Sequence, residues 1–133
     1  MPRTITATIG MLFLLTISAL SLVGQEKGGI QQATKGYSYV ADVAPIIKQS
    51  CISCHGTENE NPSEYYMDDY ESLMRGGRHG VTIIPGQPDS SMVYYKLLPD
   101  PPFGKQMPRG HGSISPEALH VIHDWIAQGA KRE

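Results

Sequence analysis

Both cysteines of this 133-residue chain fall inside "QSCISCHG", with Cys51 and Cys54 three positions apart and His55 directly after. Three chemistries use such a pair. A structural zinc site needs four ligands, and with no further cysteine only His120 and His123 are available to complete it. Their i, i+3 spacing on an amphipathic helix is equally that of a polar face. A thiol–disulfide exchanger would carry the pair after a strand in a βαβ frame, whereas the surroundings here read as helical. A disulfide closing so short a loop would stabilise little.

The third chemistry uses every residue. C-x-x-C-H is the attachment sequence of c-type haem. On one helical turn, positions i, i+3 and i+4 face the same way. Cys51 and Cys54 can then form thioethers to the two vinyl groups on one porphyrin edge while His55 presents its imidazole to the iron. One covalent haem c per chain is expected, with His55 as proximal ligand.

The other axial position decides between electron transfer and ligand binding. Met74 and Met92 lie in expected helices, where methionine usually fills the core. Met67 follows His55 too closely to reach round the ring with ease. Met107 sits in a loop between two helices with Pro108 behind it, and enough chain separates it from His55 to wrap to the far face. It is the favoured distal ligand. His111 or His79 there would give a bis-histidine centre of lower potential. For the haem carboxylates, Arg75, Arg78, Lys105, Arg109 and the tyrosines at 65, 66, 94 and 95 are all candidates. Ile46, Ile47, Val93, Leu97, Leu119, Ile122 and Ile126 are candidates for the pocket and core.

The elements that must position these groups are short. A helix is expected from Asp42 as cap, through Pro45 in the first turn and Val43, Ile46 and Ile47 on one face, directly into Cys51. "MDDYESLM" reads as a short helix stopped by Gly76 and Gly77. A third runs from a cap among Asp89, Ser90 and Ser91 to Leu98, where Pro99, Pro101 and Pro102 end it. The last is the clearest: Ser115 caps, Pro116 occupies the first position, Leu119, Ile122 and Ile126 share a face, and Gly129 stops it. No strand pattern competes. The fold class is all-α, about four short helices joined by long loops.

Composition narrows the setting. Hydrophobic residues make up 40% of the chain and charged ones 18%, which suits one small globular domain. A formal charge of −2 with scattered Lys and Arg excludes a nucleic-acid-binding field. Arg3 followed by the uncharged, mostly apolar stretch from Ile5 to Gly24 resembles a secretory signal peptide, and the same stretch left uncut would be long enough to anchor the protein in a membrane. Either way the folded part is expected outside the cytoplasm, in the periplasm. Residues 1–24 are thus read as leader or anchor, 25–36 as a polar flexible linker, and 37–133 as the domain.

From about Tyr39 to Lys131 the chain resembles a class I cytochrome c, most closely the small domains called planctomycete-type cytochrome c. The stretches that carry the resemblance are "VAPIIKQSCISCHG", "IIPGQPDSSMVYYKLL", "QMPRG" and "SISPEALHVIHDWIAQGA". It implies a class I fold wrapped around the haem, Met107 of the Met-Pro pair as distal ligand, and a crossing of the first and last helices at Trp125. It also implies an electron carrier between redox-protein donor and acceptor. A tethered haem subunit of a larger oxidoreductase complex, or a haem-based ligand sensor, are the alternatives. No residue set suits catalysis without the haem, so the chain is not read as an enzyme. The acidic "ENENPSEYYMDDY" departs from the family pattern, and the contact that orients His55 is left unassigned.

Overall fold

The computed structural model describes Met1 and residues 35–133 except His111. The leader or anchor at 1–24, the linker as far as residue 34, and His111 as a distal ligand lie outside the described residues. Among the described residues all regular structure is helical, with only one isolated bridge between Gly77 and Gly80.

Helix α1 (Ala44–Ser50) is entered through one wide π turn at Tyr39–Val43. Pro45 has no N–H to return to Ala41, so the turn widens, and the amides of Val43 and Ala44 reach back five residues to the carbonyls of Ser38 and Tyr39. The cap is therefore Ser38, four residues ahead of the expected Asp42: its Oγ accepts from the Ala41 amide at 3.1 Å. Asp42 sits inside the turn and its carboxylate accepts from Lys35 Nζ at 2.8 Å and from the Ser38 amide at 3.0 Å. Those two bonds hold its carboxyl below the usual range.

The helix does not run unbroken into the cysteine motif. Cys51 departs to φ −123°, and a one-turn helix α2 (Ile52–His55) follows. The count of α-helices among the described residues becomes five for this reason. Cys51 to His55 is still one closed turn, because the amides of Cys54 and His55 both donate to the Cys51 carbonyl, at 3.1 and 2.9 Å. Gly56 ends it; a Cβ there would stand 2.9 Å from the Ile52 carbonyl.

Helix α3 (Tyr70–Arg75) begins at Asp69, whose carboxylate accepts from the Ser72 amide at 2.7 Å, and stops at Gly76, φ 81°. Helix α4 (Met92–Leu97) follows a 3-10 turn at Pro88–Ser90. Ser91 precedes it without capping it. Its fully buried hydroxyl instead accepts from the Ile84 amide at 2.9 Å and donates to the Gln87 carbonyl at 2.8 Å, tying the 84–87 turn to the start of the helix. Helix α5 (Pro116–Ala127) has the expected Ser115 cap and Pro116 start, and buries Ile122, Trp125 and Ile126.

The core closes where α5 meets the π turn. The Tyr39 ring lies 6.3 Å from Trp125 and 5.4 Å from Tyr70. Around this aromatic junction the polar tips find backbone partners: Trp125 Nε1 donates to the Lys131 carbonyl at 2.7 Å and Tyr70 Oη to that of Ala130 at 2.9 Å. The C-terminal residues then accept from the first turn, through Tyr39 N to Lys131 O at 3.0 Å and Val40 N to Arg132 O at 3.1 Å. Lys35 and Tyr37 are tied to the same C-terminal end of α5 through the Gln128 side chain.

Two outcomes follow from these ties. Ser91→Ala leaves the part-buried Ile84 amide and Gln87 carbonyl without their side-chain partner and should cost about 1–3 kcal/mol in a urea titration. Asp69, whose carboxyl is held low by the Ser72 amide, stabilises above the ordinary carboxylate pKa, and that contribution is lost as pH falls through its lowered folded value. Melting temperature measured against pH should therefore drop less steeply below about pH 4 in Asp69→Asn than in the parent.

Candidate functional site

A cleft of about 460 Å³ takes Ile47, Ser50, Cys51, Cys54 and His55 from α1 and α2, and Met92, Val93, Lys96 and Leu97 from α4. The loop at Phe103 and Met107 to Arg109 joins them, with Ile122 of α5. Its walls are mostly carbon, and its size falls in the range of roughly 300–1,000 Å³ usual for small-molecule and cofactor sites. The two cysteines form no disulfide with each other; Cys51 is partly covered and Cys54 exposed. Burial pushes the Cys51 thiol up to about 11, with the neighbouring Cys54 adding to the rise.

His55 is held by a contact the sequence reading left open. Its Nδ1 lies 2.9 Å from the carbonyl oxygen of Tyr65. That oxygen can only accept, so Nδ1 must carry the ring proton, which leaves the Nε2 lone pair free for a metal. The departing segment "ENENPSEYYMDDY" is therefore the one that orients the histidine. Asn61 supports the same carbonyl, its Nδ2 donating at 2.7 Å. The Met67 amide donates to the His55 carbonyl at 2.9 Å, so the segment grips the histidine at backbone and ring alike.

Met107 reaches the cleft because its loop is pinned to the end of α4. Its amide donates to the Lys96 carbonyl at 2.6 Å, and the neighbouring Gln106 side chain donates to that of Leu97 at 3.0 Å. The cleft thus gathers Cys51, Cys54, His55 and Met107, all four of the residues expected to hold a cofactor. It also gathers Met67, Met92 and His79, of which Met92 had been assigned to core filling. Met74 packs against the core and does not line the cleft.

The remaining candidates divide. Ile47, Val93, Leu97 and Ile122 line the cleft, while Ile46, Leu119 and Ile126 pack elsewhere in the core. Of the candidate carboxylate partners only Tyr65 and Arg109 reach it. Arg78 pairs instead with Glu64 at 2.6 Å, and Tyr94 lies 5.1 Å from the His123 ring. His120 and His123 both face Asp124, at 3.4 and 2.8 Å, away from the cysteines' cleft. Lys96 was not foreseen: its ammonium donates to the Phe103 carbonyl at 2.8 Å, and burial together with nearby Arg109 draws its pKa down. Tyr65 Oη and Thr82 Oγ1 are buried without a well-formed hydrogen bond. Burial drives the Tyr65 hydroxyl well above its ordinary pKa, a rise that nearby Thr82 moderates.

Two thiols on one turn, an imidazole with its metal-binding nitrogen free, a thioether on a separate loop and apolar walls are the donor set a covalently held haem requires. The residues fit the group. No curated protein and no solved structure matches the chain. Residues 51–109 match the family described as Planctomycete cytochrome C, a stretch that runs from the first cysteine past Met107. Similarity to that family suggests a haem cofactor and haem-based electron transfer. The segment that builds most of the cleft is similar to a planctomycete-type cytochrome c domain.

Proposed function

We propose that this protein is a one-electron carrier of the periplasm, with one haem c bound through thioethers to Cys51 and Cys54 and ligated by His55 and Met107. The observation that carries this reading is the convergence of those four side chains on one apolar cleft, with the His55 tautomer already set for metal binding. When bound, the haem supplies the ferric/ferrous couple.

The chain's own residues account for the rest. His55, locked by the Tyr65 carbonyl, presents Nε2 in a fixed direction, so little rearranges between oxidation states. Met107 would hold the iron through its thioether, which would favour the reduced state and deny oxygen or peroxide a binding site. Ile47, Val93, Leu97 and Ile122 exclude water from the cleft, which again favours the less charged centre. Exchange of single electrons with donor and acceptor proteins follows, without chemistry on a bound substrate. Residues 5–24, if retained, would attach the carrier to the membrane. Among the described residues no helix is long and apolar enough to cross a bilayer.

Met92 is a competing thioether, since it lines the same cleft from within α4, as Met67 does from the segment that orients His55. Protein purified from an exporting host should show c-type absorption bands and an intact mass raised by one haem. In Met107→Ala the sulfur-to-iron charge-transfer band of the oxidised protein should vanish and the reduced protein should bind carbon monoxide at neutral pH; Met92→Ala should retain the band. The opposite pattern would transfer the ligand to Met92, and a colourless product of polypeptide mass would remove the haem reading altogether.

A further inference from the structure

We infer that Asn61 and Gly77 are positioning residues that set the strength of the His55–Tyr65 hydrogen bond and, through it, the reduction potential of the bound haem. The inference rests on the haem reading above and concerns how this chain tunes the site.

The Tyr65 carbonyl receives two donors, His55 Nδ1 at 2.9 Å and Asn61 Nδ2 at 2.7 Å. Those fill both lone pairs of one oxygen, so each donor weakens its acceptance of the other. The orientation of Asn61 is not arbitrary: its Oδ1 accepts from the Ser63 amide at 3.2 Å and the Ser63 hydroxyl at 2.6 Å, which leaves Nδ2 to face Tyr65. Asn61 thus draws electron density from the atom that polarises the histidine. Its removal lets the carbonyl pull harder on the Nδ1 proton, gives the ring more imidazolate character, and stabilises ferric iron.

Gly77 acts on the same carbonyl from behind. A Cβ at this position would stand 2.6 Å from the Ser63 carbonyl oxygen and 2.8 and 2.9 Å from Tyr65 Cβ and Cα. Backbone cannot swing aside as a flexible side chain can, so even one methyl group must displace the 63–65 segment. The glycine turn is also fastened to that segment, through Arg78 N to Ser63 O at 2.8 Å and the Arg78–Glu64 pair. Displacing Tyr65 lengthens the bond to Nδ1, weakens the polarisation of His55 and favours ferrous iron.

The two substitutions therefore act in opposite directions, which mere loosening of the fold would not do, because admitting water to the cleft lowers the potential in both. Redox titration of the haem-loaded protein should give a more negative midpoint for Asn61→Ala and a more positive one for Gly77→Ala. In proton NMR of the reduced state the His55 Nδ1–H resonance should move downfield in the first and upfield in the second. Gly129→Ala, strained at φ 99° at the far end of α5, serves as the stability control and should lower the melting temperature while moving neither signal. Shifts of the same sign, absence of both shifts, or an equal shift in Gly129→Ala would overturn the inference. If Gly77→Ala fails to accumulate, Asn61→Ala decides alone: an unmoved or more positive midpoint, or an upfield Nδ1–H, overturns it. A parent protein without covalent haem would instead overturn the reading on which it rests, and both would fall together.

Discussion

Much of the arrangement turns on one hydrogen bond, from the ring of His55 to the main-chain oxygen of Tyr65. An imidazole on a single turn of helix could rotate about two side-chain bonds and carry its proton on either nitrogen. A backbone acceptor removes both freedoms, because it cannot donate and is anchored at two further points. The irregular segment from 61 to 67, which opens on a turn closed by Glu64 N to Asn61 O at 2.9 Å, delivers that oxygen. It has no repeating hydrogen-bond pattern of its own and is fixed by separate ties to Ser63, Arg78 and His55. The glycine turn at 76–80 fits against it so closely that a side chain on the facing residue, Gly77, would have to displace it.

The same economy governs the wall that carries Met107. A short helix ends, and its last free carbonyls, at Lys96 and Leu97, are taken by the loop residues Met107 and Gln106. Helix ends leave acceptors unsatisfied in any protein; here the loop satisfies them and is thereby held in place. Long loops would ordinarily be a liability in so small a core, yet each one here is tied by backbone groups that the helices leave over. An apolar prosthetic group against Ile47, Val93, Leu97 and Ile122 would supply the burial that so little secondary structure cannot.

What the sequence discloses and what it hides follow from the range of each interaction. The turn that carries Cys51, Cys54 and His55 is legible because their spacing lies within it, and α5 is legible because its cap, proline start and glycine stop are local. The carbonyl that orients His55 is hidden, since every residue type offers a backbone oxygen and nothing at Tyr65 marks it as the one used. Ser91 reads as a helix cap because serine before a helix usually is one, whereas its hydroxyl serves a turn seven residues earlier in the chain. The cap at Ser38, which heads the π turn leading into α1, was masked by Pro45, which suits a first turn but here also forces the wider one. Met92 and Met107 differ in local setting but not in access to the cleft, and access belongs to the folded molecule alone.

Tyr39 and Lys131 are hydrogen-bonded neighbours, so the folded unit enters and leaves through a single doorway. A domain built this way can be spliced as a cassette into the surface loop of a host protein, or reopened elsewhere after its old ends are joined, with little disturbance to the wall opposite. Its architecture is that of a portable part, suited to being set down within larger polypeptides as readily as to working alone.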